Sequence, residues 1–186
     1  MARLIYIVNM SLDGFMEDEN GNFDWSEPSE DQHRFINDLA RPAGTHLYGR
    51  RMYETMSVWE TDPSLASHSA VTAHFARLWQ DAQKIVYSTS LASVSTTKTR
   101  LERRFDAEAV ARMKRELEQD ILIGGPGLAR HAMKAGLVDA YHFFIAPVAL
   151  GRGKRALPDD TRLDLELRDQ RRFENGVVQL GYGVRP

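Results

Sequence analysis

The chain has 186 residues, 42% hydrophobic and 27% charged, and we expect a single domain over residues 1–186 that buries one sizeable core. A formal net charge of -2 provides no basic field for nucleic acid, and the longest apolar run, "FFIAPVAL", is too short and too interrupted by proline to cross a bilayer. The absence of cysteine excludes disulfides and thiolate chemistry and favours a reducing, cytoplasmic location.

The first part of the chain alternates between strand and helix patterns. "LIYIVNMS" (Leu4–Ser11) is continuously apolar and rich in β-formers, which predicts a central strand covered on both faces. "PSEDQHRFINDLA" predicts a helix with Ser29 as its N-cap, and "THLYG" predicts a short strand. "RRMYETMSVW" and "SAVTAHFARLWQDA" predict two more helices, and the second places four apolar side chains on one face: Val71, Phe75, Leu78 and Trp79.

The middle of the chain continues this alternation. "KIVYS" predicts a buried strand, the segment from Asp106 to Glu118 a helix, and "DILIGG" another buried strand. The helix after these glycines is expected to end at Gly136, because glycine supplies a left-handed C-cap.

The last third has a different pattern. "LDLEL" alternates apolar and charged residues, and "ENGVVQLGYGV" places Asn175 and Gly176 where a type I′ hairpin turn is expected. These features predict an α/β domain whose mostly parallel central sheet ends in an antiparallel C-terminal hairpin.

Three glycines, Gly124, Gly125 and Gly127, separate the "DILI" strand from the next helix. One interpretation is a tight turn that lets the helix pack close to the sheet. The other is a phosphate site formed by the first amides of the helix. The spacing is not that of a Rossmann fingerprint, so the glycines alone leave both interpretations open.

Four segments at the predicted strand ends together resemble the dihydrofolate reductase-like superfamily. "SLDGFMEDENGNFDW" resembles its active-site loop, "YGRRMYETM" its Gly-Arg-x-Thr-x-Glu segment, "VYSTSL" its strand with two terminal hydroxyl residues, and "LIGGPGL" its Gly-Gly segment. "GLVDAYHFFIAPVALGRGKRAL" is most similar to the reductase domain of bacterial riboflavin-biosynthesis deaminase-reductases. The resemblance covers nearly the whole chain and implies a three-layer α/β/α fold.

The resemblance implies hydride transfer from NADPH to a small heterocycle, as in 5-amino-6-(5-phosphoribosylamino)uracil reductase. It implies that Gly49, with Arg50 or Arg51, binds phosphate oxygens, and that Ser88 and Thr89 bind the adenosine ribose or its 2′-phosphate. The glycine segment would lie beneath the nicotinamide and pyrophosphate, with a cis peptide between its first two residues. The cofactor-binding residues expected there are Gly124, Gly125, Gly127 and Leu128.

Three carboxylates are candidates for catalysis. "WSEPSED" resembles the Trp-x-x-Pro-x-Asp spacing of folate-reducing members and places Glu30, with its neighbour Asp31, at the pterin-binding carboxylate. Both acids also suit the first turn of a helix on electrostatic grounds. Asp13 and Asn9 are expected to border the nicotinamide pocket.

True dihydrofolate reduction is not expected, because Glu30 is one methylene longer than Asp. The acids of the preceding loop would also repel a glutamate-tailed substrate. A dihydrofolate reductase, or a nucleotide-binding member of the fold without turnover, remains the alternative. The scattered histidines predict no metal site. The C-terminal strands would leave a sheet edge open, and we expect a homodimer.

Overall fold

The computed structural model describes residues 1–185 and consists of one eight-stranded sheet, a two-stranded sheet and helices on both faces. The order of the large sheet is β5-β4-β3-β6-β1-β7-β10-β9. The strands are β1 (Leu4–Ser11), β2 (Phe15–Glu17), β3 (Ala43–Gly49), β4 (Gln83–Tyr87), β5 (Thr99–Glu102), β6 (Asp120–Gly124), β7 (Ala140–Ala146), β8 (Lys154–Arg155), β9 (Leu165–Arg172) and β10 (Val178–Val184).

The pairings confirm a mostly parallel sheet with an antiparallel edge. β1 pairs in parallel with both β6 and β7, and β3 pairs in parallel with β4 and β6. β10 runs antiparallel to both β7 and β9, so the C-terminal hairpin closes one side of the sheet. β1 is therefore a central strand, as its continuous apolar run predicts.

The helices that flank the sheet begin and end close to the predicted positions, except that "RRMYETMSVW" forms two helices separated at Ser57 and that the helix Pro63–Ala66 was not predicted. A short 3-10 helix (Asp24–Ser26) precedes α1. The α-helices are α1 (Glu30–Ala40), α2 (Arg50–Met56), α3 (Val58–Thr61), α4 (Pro63–Ala66), α5 (Ala70–Asp81), α6 (Ala107–Glu116) and α7 (Pro126–Lys134). α7 ends as expected, because Gly136 has a φ of +65° and donates its amide to the Met133 carbonyl.

The two faces of the sheet carry separate apolar clusters. Alternate residues of β1, such as Leu4 and Tyr6, pack with side chains of α6 and α7. On the opposite face, α1, α2 and α5 cover the sheet, and Phe75 and Trp79 of α5 are buried there as predicted. This arrangement confirms the three-layer α/β/α fold.

The turn of the C-terminal hairpin differs from the prediction. A type I′ turn needs a positive φ at both central residues, but Gly176 has a φ of +85° and Asn175 does not have a positive φ. Phe173 donates its amide to the Val177 carbonyl, and Gly176 donates its amide to the Phe173 carbonyl. The hairpin therefore has a three-residue loop with glycine in the left-handed position, and β9 begins at Leu165 rather than at Leu163.

None of the helices in the described part of the chain has the length and apolar character that a bilayer crossing requires.

Candidate functional site

The carboxyl ends of four parallel strands lie side by side. Tyr48 of β3 is level with Val86 of β4 and Gly124 of β6, and Tyr6 of β1 is level with Ile123. The segments that follow these strands therefore meet at one edge of the sheet. Open α/β sheets bind ligands at such an edge. The predicted cofactor-binding residues are brought together there.

The glycine turn has features of both interpretations left open by the sequence, a tight turn for close packing and an open space at the start of a helix. Gly125 has a φ of +86°, which favours glycine, and the peptide between Gly124 and Gly125 is trans, so the expected cis bond is wrong. A Cβ on Gly124 would lie 2.8 Å from the Tyr48 ring, and one on Gly125 would lie 3.1 Å from the Met52 Cβ. Close packing of Tyr48 of β3 and Met52 of α2 thus explains these two glycines, whereas a Cβ on Gly127 would meet nothing within 4 Å.

The first turn of α7 presents backbone amides without a side-chain cap. Its N-cap is Gly125, and Pro126 occupies the first helical position. The first intrahelical bond runs from the Ala129 amide to the Gly125 carbonyl, at 3.0 Å. The amides of Gly127 and Leu128 precede that bond and suit an anion. By contrast, α4, α5 and α6 are capped by the side chains of Asp62, Ser69 and Asp106.

Gly49 is the N-cap of α2, and the two arginines that follow it point to different neighbours. Arg50 donates from Nε to Glu54 at 2.7 Å and from Nη1 to the Ser90 hydroxyl at 3.3 Å. Arg51 Nη1 lies 3.3 Å from Oε1 of Glu17, the last residue of β2. Because both guanidinium groups are substantially exposed, they remain accessible to phosphate oxygens.

Ser88 and Thr89, the two residues predicted to bind the adenosine ribose, have different surroundings in the loop after β4. Ser88 is buried, and its Oγ accepts the amides of Ser90 and Leu91, so this hydroxyl shapes the turn. Thr89 is exposed. Arg103 Nη1 donates to the Leu91 carbonyl at 2.7 Å and holds the same loop. The sequence analysis did not identify Arg103 or Ser90. Arg103 lies in the basic run "RLERRF", which suits any solvated surface, and nothing in the sequence distinguishes Ser90 from its neighbours.

Asn9 lies at the end of β1 on the face covered by α1. Ile7, two residues earlier, packs with Trp25 and Phe35, and alternation places Asn9 on that same face. Asn9 Oδ1 and Trp25 Nε1 are both buried without a hydrogen-bond partner within residues 1–185. A buried polar atom left unpaired costs roughly 1–3 kcal/mol. One unmatched acceptor and one unmatched donor therefore suit a polar ligand at this end of β1.

Asp13 joins two loops. It accepts hydrogen bonds from the Ser11 hydroxyl at 2.6 Å and from the amides of Leu150 and Gly151 at 3.1 and 2.7 Å. The Ser11 hydroxyl, together with these amides, lowers the pKa of Asp13 to about 2. The carboxylate therefore holds the loop after β1 against the loop after β7, a role that the sequence does not indicate.

Glu30 and Asp31 lie in the first turn of α1. The Glu30 side chain is 66% exposed and accepts a bond from Arg34 at 2.8 Å, so its surroundings are wet. The Ser29 hydroxyl donates to Asp31 and lowers the pKa of that carboxyl. Asp13 is thus engaged in the contact between two loops, whereas Glu30 and Asp31 lie side by side in the first turn of α1.

The acidic loop is less repulsive than its composition suggests. Glu17 faces Arg51 and Lys154, and Glu19 lies 3.4 Å from Arg152. Asp18 accepts the amides of two residues of its own loop. Since three of the four acids in this loop, all but Asp24, have a partner within residues 1–185, the predicted repulsion of an anionic substrate is reduced.

Two clefts open on the surface. One, of about 490 Å³, is lined by Arg51, Gly153, Lys154 and the segment 17–21, and Arg51 is the predicted cofactor-binding residue in its lining. The other, of about 310 Å³, lies between α3, α4 and α5 and contains none of the predicted site residues. Among residues 1–185, no three His, Asp or Glu side chains are grouped so that they could share a metal ion.

The sheet and the helices on its two faces give this chain a dihydrofolate reductase-like α/β fold. The chain belongs to the family of the RibD C-terminal domain, whose model matches residues 2–179. The protein YyaP of Bacillus subtilis (strain 168), itself uncharacterized, is 30% identical over 191 residues, which cover 97% of this chain and 94% of YyaP.

Solved structures show the same fold at low sequence identity. A protein from Shewanella sp. PV-4, provisionally assigned to riboflavin biosynthesis, has a TM-score of 0.77 at 19% identity and full coverage of both chains. The deaminase/5-amino-6-(5-phosphoribosylamino)uracil reductase of Thermotoga maritima has a TM-score of 0.65 at 13% identity, over 99% of this chain and 57% of that one. Dihydrofolate reductase from Enterococcus faecalis, complexed with NADP(H), has a TM-score of 0.66 at 12% identity, over 99% and 97%.

Proposed function

We propose that the protein is an NADPH-dependent reductase that transfers a hydride to a small heterocycle of the pyrimidine class. The observation that carries this proposal is the first turn of α7, whose amides at Gly127 and Leu128 have no side-chain cap and lie beside the ends of β1 and β3. That position suits a pyrophosphate. The known members of the fold supply the reaction class, because the Thermotoga maritima protein is named as a uracil-derivative reductase.

Each part of the site has a distinct task in this proposal. NADPH supplies the hydride, and the amides of α7 with Arg50 and Arg51 hold its phosphates. Thr89, together with Ser90 and Arg50, binds the adenosine ribose end. Within the described part of the chain, Asn9 Oδ1 is an unpaired acceptor and Trp25 Nε1 an unpaired donor. In this proposal they orient the nicotinamide and the substrate ring near the end of β1. Asp13 positions the loop that covers this end of the strand.

The test is the decrease of NADPH absorbance with a panel of substrates that includes a ribosylaminopyrimidine and dihydrofolate. We expect turnover with a pyrimidine substrate and a lower rate when NADH replaces NADPH. Binding of NADPH without oxidation by any member of the panel would favour a nucleotide-binding protein without turnover. One observation favours that alternative, since the pKa values of Asp13 and Asp31 are both lowered and neither suits a proton donor at neutral pH.

An Arg50→Ala variant is expected to weaken NADPH binding by roughly 1.5–3 kcal/mol, the usual contribution of a hydrogen bond to a charged group. Folding is expected to change little, because Arg50 is half exposed and its contacts are with Glu54 and Ser90. Titration of cofactor fluorescence measures the effect. Arg41→Ala is the matched control, since Arg41 is also exposed and paired with a carboxylate of its own helix end, Asp38. Equal NADPH affinity in the Arg50 and Arg41 variants would remove Arg50 from the site.

We also propose that the protein is a homodimer. β9 is the outermost strand beyond β10, and among residues 1–185 no strand pairs with its outer edge. Leu167 of β9 and Val184 of β10 are 48% and 45% exposed, so an apolar surface accompanies the open edge. Light scattering at micromolar concentration is expected to give twice the 21.1 kDa chain mass. A value of 21.1 kDa would contradict the dimer.

A further inference from the structure

Two cations converge on one carboxylate in the larger cleft. Arg51 Nη1 lies 3.3 Å and Lys154 Nζ lies 3.7 Å from Glu17 Oε1. The side chains of Arg51 and Lys154 are 69% and 36% exposed, whereas that of Glu17 is only 13% exposed. A guanidinium and an ammonium that face one anionic point form the usual arrangement for binding a phosphate. Here the chain itself supplies the anion.

The backbone brings Glu17 to this position by an unusually close approach. Glu17 of β2 is paired with Lys154 of β8, and the register shifts between Phe15 and Glu17. Gly153 has a φ of +150°, and a Cβ there would lie 2.1 Å from the Glu17 carbonyl oxygen. Only glycine permits this contact, and an irregularity in a strand pair redirects side chains. The Glu17 carboxylate is thereby directed toward the two cations.

The other charged groups around the cleft are engaged elsewhere. Asp18 Oδ1 accepts the amides of Asn20 and Asn22, both at 2.8 Å. Glu19 is paired with Arg152 at 3.4 Å. Arg51 and Lys154 therefore share Glu17 as their acidic partner in this cleft.

We propose that Arg51 and Lys154 form a phosphate clamp, and that the Glu17 carboxylate occupies it until a phosphate group displaces it. The inference rests on the proposed function in one respect, since the phosphate belongs to the cofactor or to a phosphorylated pyrimidine substrate. A phosphate monoester, such as a 2′- or 5′-phosphate, carries more charge than a carboxylate and more oxygens with which to satisfy both cations. Lys154 thus becomes a ligand-binding residue, and Glu17 an internal competitor that lowers affinity.

The size of the competition follows from the exposure of the two cations, since Glu17 itself is largely buried. Ion pairs whose cations are open to solvent contribute little to stability, and their removal corresponds to a roughly two- to fivefold change in an equilibrium constant. Glu17→Gln is therefore expected to bind phosphate ligands about two- to fivefold more tightly. Lys154→Met keeps the side-chain stem but removes the charge, and it is expected to bind them about tenfold more weakly.

Isothermal titration calorimetry of the full chain tests the clamp with three probes: inorganic pyrophosphate, ribose 5-phosphate and NADPH. Glu19→Gln is the matched control, because it removes one acid from the same loop but leaves the clamp intact. We expect its affinities to remain within about twofold of the wild-type values. Glu17→Asp, which keeps the charge on a shorter side chain, provides a second variant and is expected to fall between wild type and Glu17→Gln.

The pattern across the probes identifies the source of the phosphate. Tighter NADPH binding by Glu17→Gln with unchanged ribose 5-phosphate binding assigns the clamp to the cofactor, and the reverse assigns it to the substrate. Pyrophosphate binding that responds to Glu17 and Lys154, in a protein that does not bind NADPH, supports the clamp and contradicts the proposed reductase. Equal affinities of wild type, Glu17→Gln and Lys154→Met for every probe, or no binding of any probe, would overturn the clamp.

Discussion

A Gly125→Val variant is expected to lose measurable NADPH binding. Gly125 has a φ of +86°, a conformation that strains a β-branched residue by roughly 1–3 kcal/mol, and its Cβ would meet Met52 at 3.1 Å. Relief of that strain requires the turn to change shape, which redirects the first amides of α7 away from the ligand. Titration of cofactor fluorescence measures binding, and circular dichroism during heating shows whether the fold persists.

The Gly127→Ala variant distinguishes two causes of weaker NADPH binding, a filled ligand space and an unfolded protein. A Cβ at position 127 meets no protein atom within 4 Å, so the helix tolerates it, and alanine in place of glycine stabilises a helix by roughly 0.5–1 kcal/mol. The same Cβ enters the space assigned to the pyrophosphate, and we expect NADPH affinity to fall at least about tenfold. A Gly127→Ala protein that gains thermal stability but loses NADPH affinity would indicate that the ligand occupies the space beside residue 127. Normal NADPH binding by both glycine variants would leave the glycines with a packing role alone.

Dihydrofolate turnover is expected to be at least about 1,000-fold below the range of roughly 10⁴–10⁸ M⁻¹s⁻¹ that efficient enzymes reach. Reduction of a pterin needs a dry carboxylate placed to within a fraction of an ångström. Glu30, which has the analogous spacing, is 66% exposed and paired with Arg34. The exposure of Glu30 is now the main support for this expectation, because three of the four loop acids that were expected to repel folate, all but Asp24, have cationic or amide partners among the described residues.

Steady-state rates with NADPH and dihydrofolate, compared with a pyrimidine substrate, check this expectation. Glu30→Gln supplies the control, since a folate reductase that uses this carboxylate would lose most of its activity with the change. Efficient dihydrofolate reduction that disappears in Glu30→Gln would make folate the better assignment.

The fold was largely predictable because its signals are local. The apolar run of β1 and the helical spacing of Val71, Phe75 and Trp79 each predict an element that the structure contains. The hairpin turn was predicted wrongly, since the pair Asn175 and Gly176 is compatible with two loop lengths. The choice between them depends on which strand residues pair across the turn, which the dipeptide does not specify.

The positions of the candidate site residues were predictable only where a glycine or an arginine directly follows a strand. Gly125 has the positive φ that a glycine turn requires, and Arg50 lies directly after β3. The partners of Asp13 and Glu17 were not predictable, because Leu150 and Lys154 lie more than a hundred positions away and meet them only through the fold. Contacts of this kind leave no periodic pattern in the sequence.

The central place of β1 has a consequence for synthesis on the ribosome. This strand leaves the ribosome well before its hydrogen-bonding neighbours β6 and β7, and the contact of Arg3 with Asp120 spans 117 positions. Both edges of an apolar strand thus remain unpaired while most of the chain is made, and such edges promote aggregation. Pairings so distant in sequence also form slowly. Dependence on chaperones during translation should therefore be greatest for nascent chains that end before Ala140, the first residue of β7.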